Sequence, residues 1–175
     1  MDTLLSGYFE GECGAQVPLP VERLRQRKAA KWMGLETRSL LAASLIAADR
    51  AGLPDAELPS CGVCVAAPPA ELPTPLPAAF PMDVAAVRDL LRDWPPLWLL
   101  GCLPNMAASH LAIQFRAGGP CHTLATSSWE EITRLASAWL LEGEADRVIA
   151  CGRGGDGRVR AAVFDSSRPR KGVQP

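Results

Sequence analysis

Between a short apolar run at Cys121–Thr126 and an amphipathic run at Trp129–Glu142, the chain places Thr126-Ser127-Ser128-Trp129-Glu130-Glu131, hydroxyls and carboxylates at the junction of a strand and a helix. Backbone amides at a helix start favour negative charge. A serine there has two uses. As a nucleophile it is weak unless a general base activates it, and Glu131, His122 or a partner chain would have to supply one. As an N-cap it accepts a hydrogen bond from a first-turn amide, and Ser128-x-x-Glu131 and Ser127-x-x-Glu130 both fit the capping-box pattern. Such a cap is worth about 1 kcal/mol, reason enough for a serine at this point. Ser128 is the candidate catalytic position, with capping its stronger reading; Thr126, Ser127 and Trp129 are the candidate substrate contacts.

Other clusters offer less. Gly152-Arg153-Gly154-Gly155-Asp156-Gly157 is glycine-rich enough to wrap a phosphate, but it joins two strand patterns and reads as a hairpin turn. Cys61 and Cys64 form a lone C-x-x-C, while Cys13, Cys102, Cys121 and Cys151 are scattered and His110 and His122 are the only histidines. Structural zinc needs a second ligand pair, and residues three apart on a strand face opposite sides. No metal or other cofactor is expected, and the thiols read as reduced and largely buried. Glu130 and Glu131 read as solvated first-turn carboxylates, and Arg23-Leu24-Arg25-Gln26-Arg27-Lys28 as a basic face.

These residues need elements to hold them. After Pro18 and Pro20, Glu22–Ala51 reads as helix, divided near Gly34. Leu40–Ala48 is apolar nearly all round, which marks a buried helix, and Ala51-Gly52-Leu53-Pro54 stops it. Cys61–Ala66 is an apolar run suited to a central strand. The proline-rich 67–81 segment reads as loop, and Met82–Arg92 as a compact amphipathic helix. Asn105–Phe115 is a helix, Cys121–Thr126 a strand, Trp129–Glu142 a helix and Arg147–Ala150 a strand. Arg158–Phe164 alternates polar and apolar residues as an edge or half-exposed strand does. Alternating strands and helices predict an α/β fold with a mainly parallel sheet covered by helices.

The 175 residues suit one domain, placed at 1–165, with 166–175 a basic, disordered tail. The formal net charge of −1 comes from interspersed acids and bases. Without a cationic stripe and interleaved aromatics, nucleic acid is not an expected partner. The N-terminus has no basic segment of a secretory signal, and no apolar run reaches the roughly 18 residues of a membrane span. A cytoplasmic protein is expected.

The order of motifs resembles the nucleophile region of β-ketoacyl synthases. The resemblance rests on Leu103-Pro104-Asn105-Met106-Ala107-Ala108-Ser109, the Gly119-Pro120 turn, the strand into Ser128, and Gly143-Glu144-Ala145-Asp146 before the apolar strand ending at Gly152. More loosely, Pro20–Leu53 is similar to the family's early region, a basic segment before an Ala/Leu-rich helix ending in Ala-Gly-Leu.

The resemblance implies a thiolase-like half-domain in which Ser128 takes the place of the nucleophilic cysteine. It also implies two catalytic histidines in a second half that this sequence does not reach; neither His110 nor His122 matches them. Trp129 stands where the family has a small or polar residue. The implied function is an accessory half subunit without condensing activity, in fatty-acid or polyketide-type biosynthesis, polyene pathways included. It would pair with a ketosynthase-like protein or with itself, since a lone half would expose an apolar helical layer. The basic run suits the acidic surface of an acyl carrier protein. Chain-length factors, ketosynthase relatives without the cysteine, are the precedent. Two alternatives are Ser128-dependent acyl transfer or thioester hydrolysis, and acyl-thioester binding without chemistry.

Overall fold

A computed structural model describes residues 4–12, 18–53, 57–67, 103 and 105–166. The proline-rich segment, the Met82–Arg92 helix, the tail, Cys13 and Cys102 lie outside the described residues. The elements are β1 (Leu4–Glu12), two short 3-10 turns (Val21–Arg23 and Arg27–Trp32), α1 (Leu35–Arg50), β2 (Cys61–Ala66), α2 (Met106–Phe115), β3 (Cys121–Leu124), α3 (Trp129–Glu142), β4 (Arg147–Arg153) and β5 (Arg158–Asp165). One five-stranded sheet runs in the order β1-β5-β4-β2-β3. β2 is parallel to β3 and β4, whereas β5 is antiparallel to both β4 and β1, so four strands share one direction and β5 alone opposes it.

Connection handedness distributes the helices. Parallel crossovers are almost always right-handed. The steps β1→β2 and β2→β3 move one way along the sheet, and β3→β4 moves back. α1 and α2 therefore share one face and α3 takes the other. The side chains agree. Val63, Val65, Ile149, Cys151, Val159 and Val163 pack with α1 and α2, while Cys64, Ala66, Val148 and Ala150 pack with Ile132, Ala136, Trp139 and Leu140 of α3. Cys61 and Cys64 fall on opposite faces.

Two close approaches set the layers. A Cβ on Gly7 would lie 2.1 Å from the Ala47 carbonyl oxygen of α1, and one on Gly62 would lie 3.0 Å from the Trp139 ring. Glycine lets β1 lie flat on α1 and lets the indole rest on β2.

Four expectations change. Leu4–Glu12, unread in the sequence as an element, is β1, and it covers β5, so Arg158–Asp165 is an interior strand. Its alternation records different loads on its two faces. The Glu22–Ala51 run becomes two 3-10 turns before α1, which starts after Gly34. The apolar helix is not an exposed layer: Leu40 to Leu45 are all buried within the chain. α3 has a water-facing side, which exposes Glu130, Glu131, Arg134, Leu141 and Glu142.

Candidate functional site

In sheets of this kind, a crevice opens where connections leave the carboxyl ends of adjacent strands toward opposite faces. Here that point lies between β2, which leads to α2, and β3, which leads to α3. Ser128 sits there, just past the carboxyl end of β3.

Its hydroxyl is engaged. Ser128 has extended backbone angles (φ −83°, ψ 115°), and its Oγ accepts a hydrogen bond from the Glu131 amide at 3.3 Å. Of the two capping registers, this selects Ser128 over Ser127. The reciprocal half of the box does not form with Glu131. The Ser128 amide instead donates to Thr126 Oγ1 at 3.0 Å, so the Thr126 hydroxyl shapes the turn. No histidine or carboxylate among the described residues hydrogen-bonds Ser128 Oγ.

On the side of β4 and β5 the space is filled. Trp129 stands edge-to-face with Tyr8 of β1, ring centres 6.2 Å apart. Ser127, Trp129, Ile132, Arg153, Gly154 and Arg160 enclose a crevice with no room for a water molecule. Arg160 binds Asp156 at 2.6 Å and Glu10 at 3.3 Å. Tyr8 donates to Glu10 at 2.8 Å, and this bond together with Arg158 holds the Glu10 carboxyl below its usual range. Tyr8, Arg153 and Arg160 reach Trp129 and its crevice from β1, β4 and β5, a juxtaposition that leaves no local signal in the sequence. The 152–157 segment is indeed a hairpin, closed by Gly154 N–H to Arg158 C=O at 2.8 Å.

A larger space runs along the same strand toward this turn. Asn105, Ala108, Ser109, Cys121, His122, Thr123 and Ala125 line an open cavity of about 350 Å³ between α2 and β3. The sequence pointed to neither this cavity nor an exposed thiol, yet Cys121 is exposed. Cys61, Cys64 and Cys151 are buried, and burial pushes Cys61 and Cys151 up to about 12, so these remain neutral thiols. His110 is half-buried and its pKa is lowered by desolvation.

The basic run divides by partner. Arg23 makes a two-point ion pair with Asp49, and Arg25 reaches Glu57 and Gln114. Arg27, Lys28, Lys31 and Arg38 are exposed around Trp32 and Leu35, which are 40% and 64% exposed.

Residues 21–160 match the N-terminal domain of β-ketoacyl synthases. The chain belongs to the β-ketoacyl synthase family. Its fold is the thiolase-like N-terminal half of a ketosynthase. It is similar to the oxazolomycin ketosynthase domain OzmH KS8 of Streptomyces albus JA3453, at 15% identity and a TM-score of 0.64, over 94% of this chain and 47% of that one. The ketosynthase from module 6 of the bacillaene synthase of Bacillus subtilis 168 aligns at 14% identity and TM-score 0.59, over 94% and 37%. The ishigamide ketosynthase/chain length factor aligns at 19% and 0.56, over 93% and 50%. The chain thus spans half or less of the length of these ketosynthases. No curated protein matches it. Among the described residues, no helix is long and apolar enough to cross a membrane.

Proposed function

We propose that this protein is an accessory ketosynthase-like subunit without condensing activity, serving fatty-acid or polyketide-type biosynthesis. It pairs with a ketosynthase or a second copy of itself and receives an acyl carrier protein. The observation that carries the reading is at Ser128, which the resemblance sets in the nucleophile's place: its oxygen accepts the Glu131 amide as the cap of α3, and the crevice beside Ser127 and Trp129 has no room for a water molecule. A condensing site needs a thiolate-competent nucleophile and room for a thioester, and Ser128-dependent acyl transfer or hydrolysis would need a base that no described residue supplies.

Two surfaces support the partners. Arg27, Lys28, Lys31 and Arg38 have no ion-pair partner among the described residues, and with Trp32 and Leu35 they form a cationic, partly apolar patch suited to an acidic carrier protein. β3 pairs only with β2 among the described strands, and an open strand edge offers backbone groups to a partner strand. The cavity beside β3 favours one second reading, acyl-thioester binding without chemistry, placed between α2 and β3 rather than at the start of α3.

The test combines carrier binding with condensation. Fluorescent holo acyl carrier protein should bind the wild type, and Lys28→Glu with Lys31→Glu should weaken binding at least tenfold. The protein alone should give no condensation product from an acyl- and a malonyl-carrier pair, yet should change the product lengths of an added ketosynthase. Condensation by the protein alone, lost in Ser128→Ala, would overturn the reading.

A further inference from the structure

Arg27, Lys28 and Lys31 of the cationic patch lie on a short 3-10 turn, an element with little rigidity of its own, yet the stretch leading into it is fastened to the core. Three hydrogen bonds converge on Gln114, near the end of α2. Its Oε1 accepts from the Arg25 amide at 3.0 Å, and its Nε2 donates to the Arg23 carbonyl at 3.2 Å. The Arg25 Nε donates to the Gln114 carbonyl at 2.8 Å.

Gln114 is 6% exposed, among the few buried polar side chains described. A primary amide is the group that suits this task. It offers one acceptor and one donor in a plane, so it pairs with a backbone N–H and a backbone C=O two residues apart, as an adjacent strand would. Around it, Leu24 is buried at 5% exposure, Arg23 grips Asp49 with two bonds of 2.8 Å, and Glu57 pairs with both Arg25 and Arg116. Residues 23–25 are therefore held from α1, from α2 and from the core, immediately before Arg27, Lys28 and Lys31.

We infer that Gln114 is a positioning residue for the cationic surface: it fixes Arg23–Arg25 so that Arg27, Lys28 and Lys31 are presented in one arrangement. The inference rests on the carrier-docking reading for its purpose, but its geometry is independent of any partner. A preordered surface loses less side-chain and backbone freedom on association.

Two measurements on the whole protein separate the claims. In the wild type, hydrogen exchange by NMR should show the Arg25 amide protected to the level of the α2 amides, and Gln26 far less. An Arg25 amide exchanging as fast as that of Gln26 overturns the inference, and this arm needs no variant to fold. In Gln114→Met, amides from Arg23 to Lys31 should exchange about tenfold faster, the scale of losing a hydrogen bond or two, with β4 and β5 unchanged. Carrier affinity should fall several-fold while keeping its salt dependence. Loosened exchange with undiminished carrier affinity overturns the positioning role. Carrier affinity that survives charge reversal at Lys28 and Lys31 overturns instead the docking reading itself, leaving the exchange result to stand on the geometry of Gln114.

Discussion

Replacing Ser128 distinguishes a cap from a nucleophile. In Ser128→Ala, the Glu131 amide loses its acceptor, a bond of 3.3 Å on a half-buried serine. The Ser128 amide keeps its own partner, Thr126 Oγ1, so the turn persists and only the cap is lost. Removing a serine cap costs about 1 kcal/mol. For a domain of this size that lowers Tm by about 2–4 °C. Asparagine caps about as well as serine, so Ser128→Asn should restore most of the loss. Scanning calorimetry on the three proteins gives the stability order, and intact-mass measurement after incubation with an acyl-coenzyme A gives the chemistry. All three should remain unacylated. An unchanged Tm in the alanine variant, or a failure of asparagine to restore it, would refute the capping argument. Acyl mass gained by the wild type and lost in both variants would establish a nucleophile.

Three further outcomes test other parts of the structure. Gly7→Ala drives a methyl into the backbone of α1, 2.1 Å from Ala47 O and 2.9 Å from Ala51 N, obstacles that cannot rotate away. It should cost about 3 kcal/mol and roughly 6–12 °C in Tm by thermal unfolding, and a wild-type Tm would mean that β1 does not lie on α1. Glu36 Oε1 is buried without a hydrogen-bond partner, and desolvation raises its pKa from 4.5, partly offset by Arg153. The folded state thus favours the neutral acid, and the stability this gives is full below pH 4.5 and lost as pH rises through the folded value. Glu36→Gln should therefore raise Tm at pH 7 and leave it unchanged at pH 4; a pH-independent difference would refute the assignment. If copies pair through β3, a protein with Cys13 and Cys102 replaced by serine should be cross-linked by a short bismaleimide through exposed Cys121, and the further change Cys121→Ser should abolish the cross-link. Cross-linking that survives this substitution would place the interface elsewhere.

Much of the fold was legible because its long-range order follows local periodicity. Cys61–Ala66, Asn105–Phe115 and Trp129–Glu142 each carry one strong period, and each forms its expected element within two residues. β1 was not legible because Leu4–Glu12 interleaves Ser6, Gly7 and Gly11 with its apolar residues, and glycine weakens a strand pattern. Its stability comes from partners some 150 residues away, such as Glu10 against Arg158 and Arg160, which no local reading contains. The serine cap was readable as a pattern, but its register was not. Two overlapping S-x-x-E windows are equivalent until the Glu131 amide donates to Ser128 Oγ.

The helices carry the argument about assembly. A uniformly apolar helix such as α1 fits either the centre of one chain or a layer waiting for a second one, and sequence periodicity does not separate the two. The burial of Leu40 to Leu45 assigns α1 to the first case. α3 then becomes the informative element, since it begins at Ser128 and turns its other side outward. That side holds Glu130, Glu131, Arg134 and Glu142, charges whose burial against an apolar layer would cost several kcal/mol each unless paired. Selection for a dry contact along α3 would not leave four charges there. A partner that docks by apolar packing has better ground elsewhere, at the edge of β3 that no described strand covers, or at Trp32 and Leu35 within the cationic patch. On the proposed function, pairing is thus a matter of edges and patches, and the start of α3, with Ser128 as its cap and Trp129 against Tyr8, serves the structure.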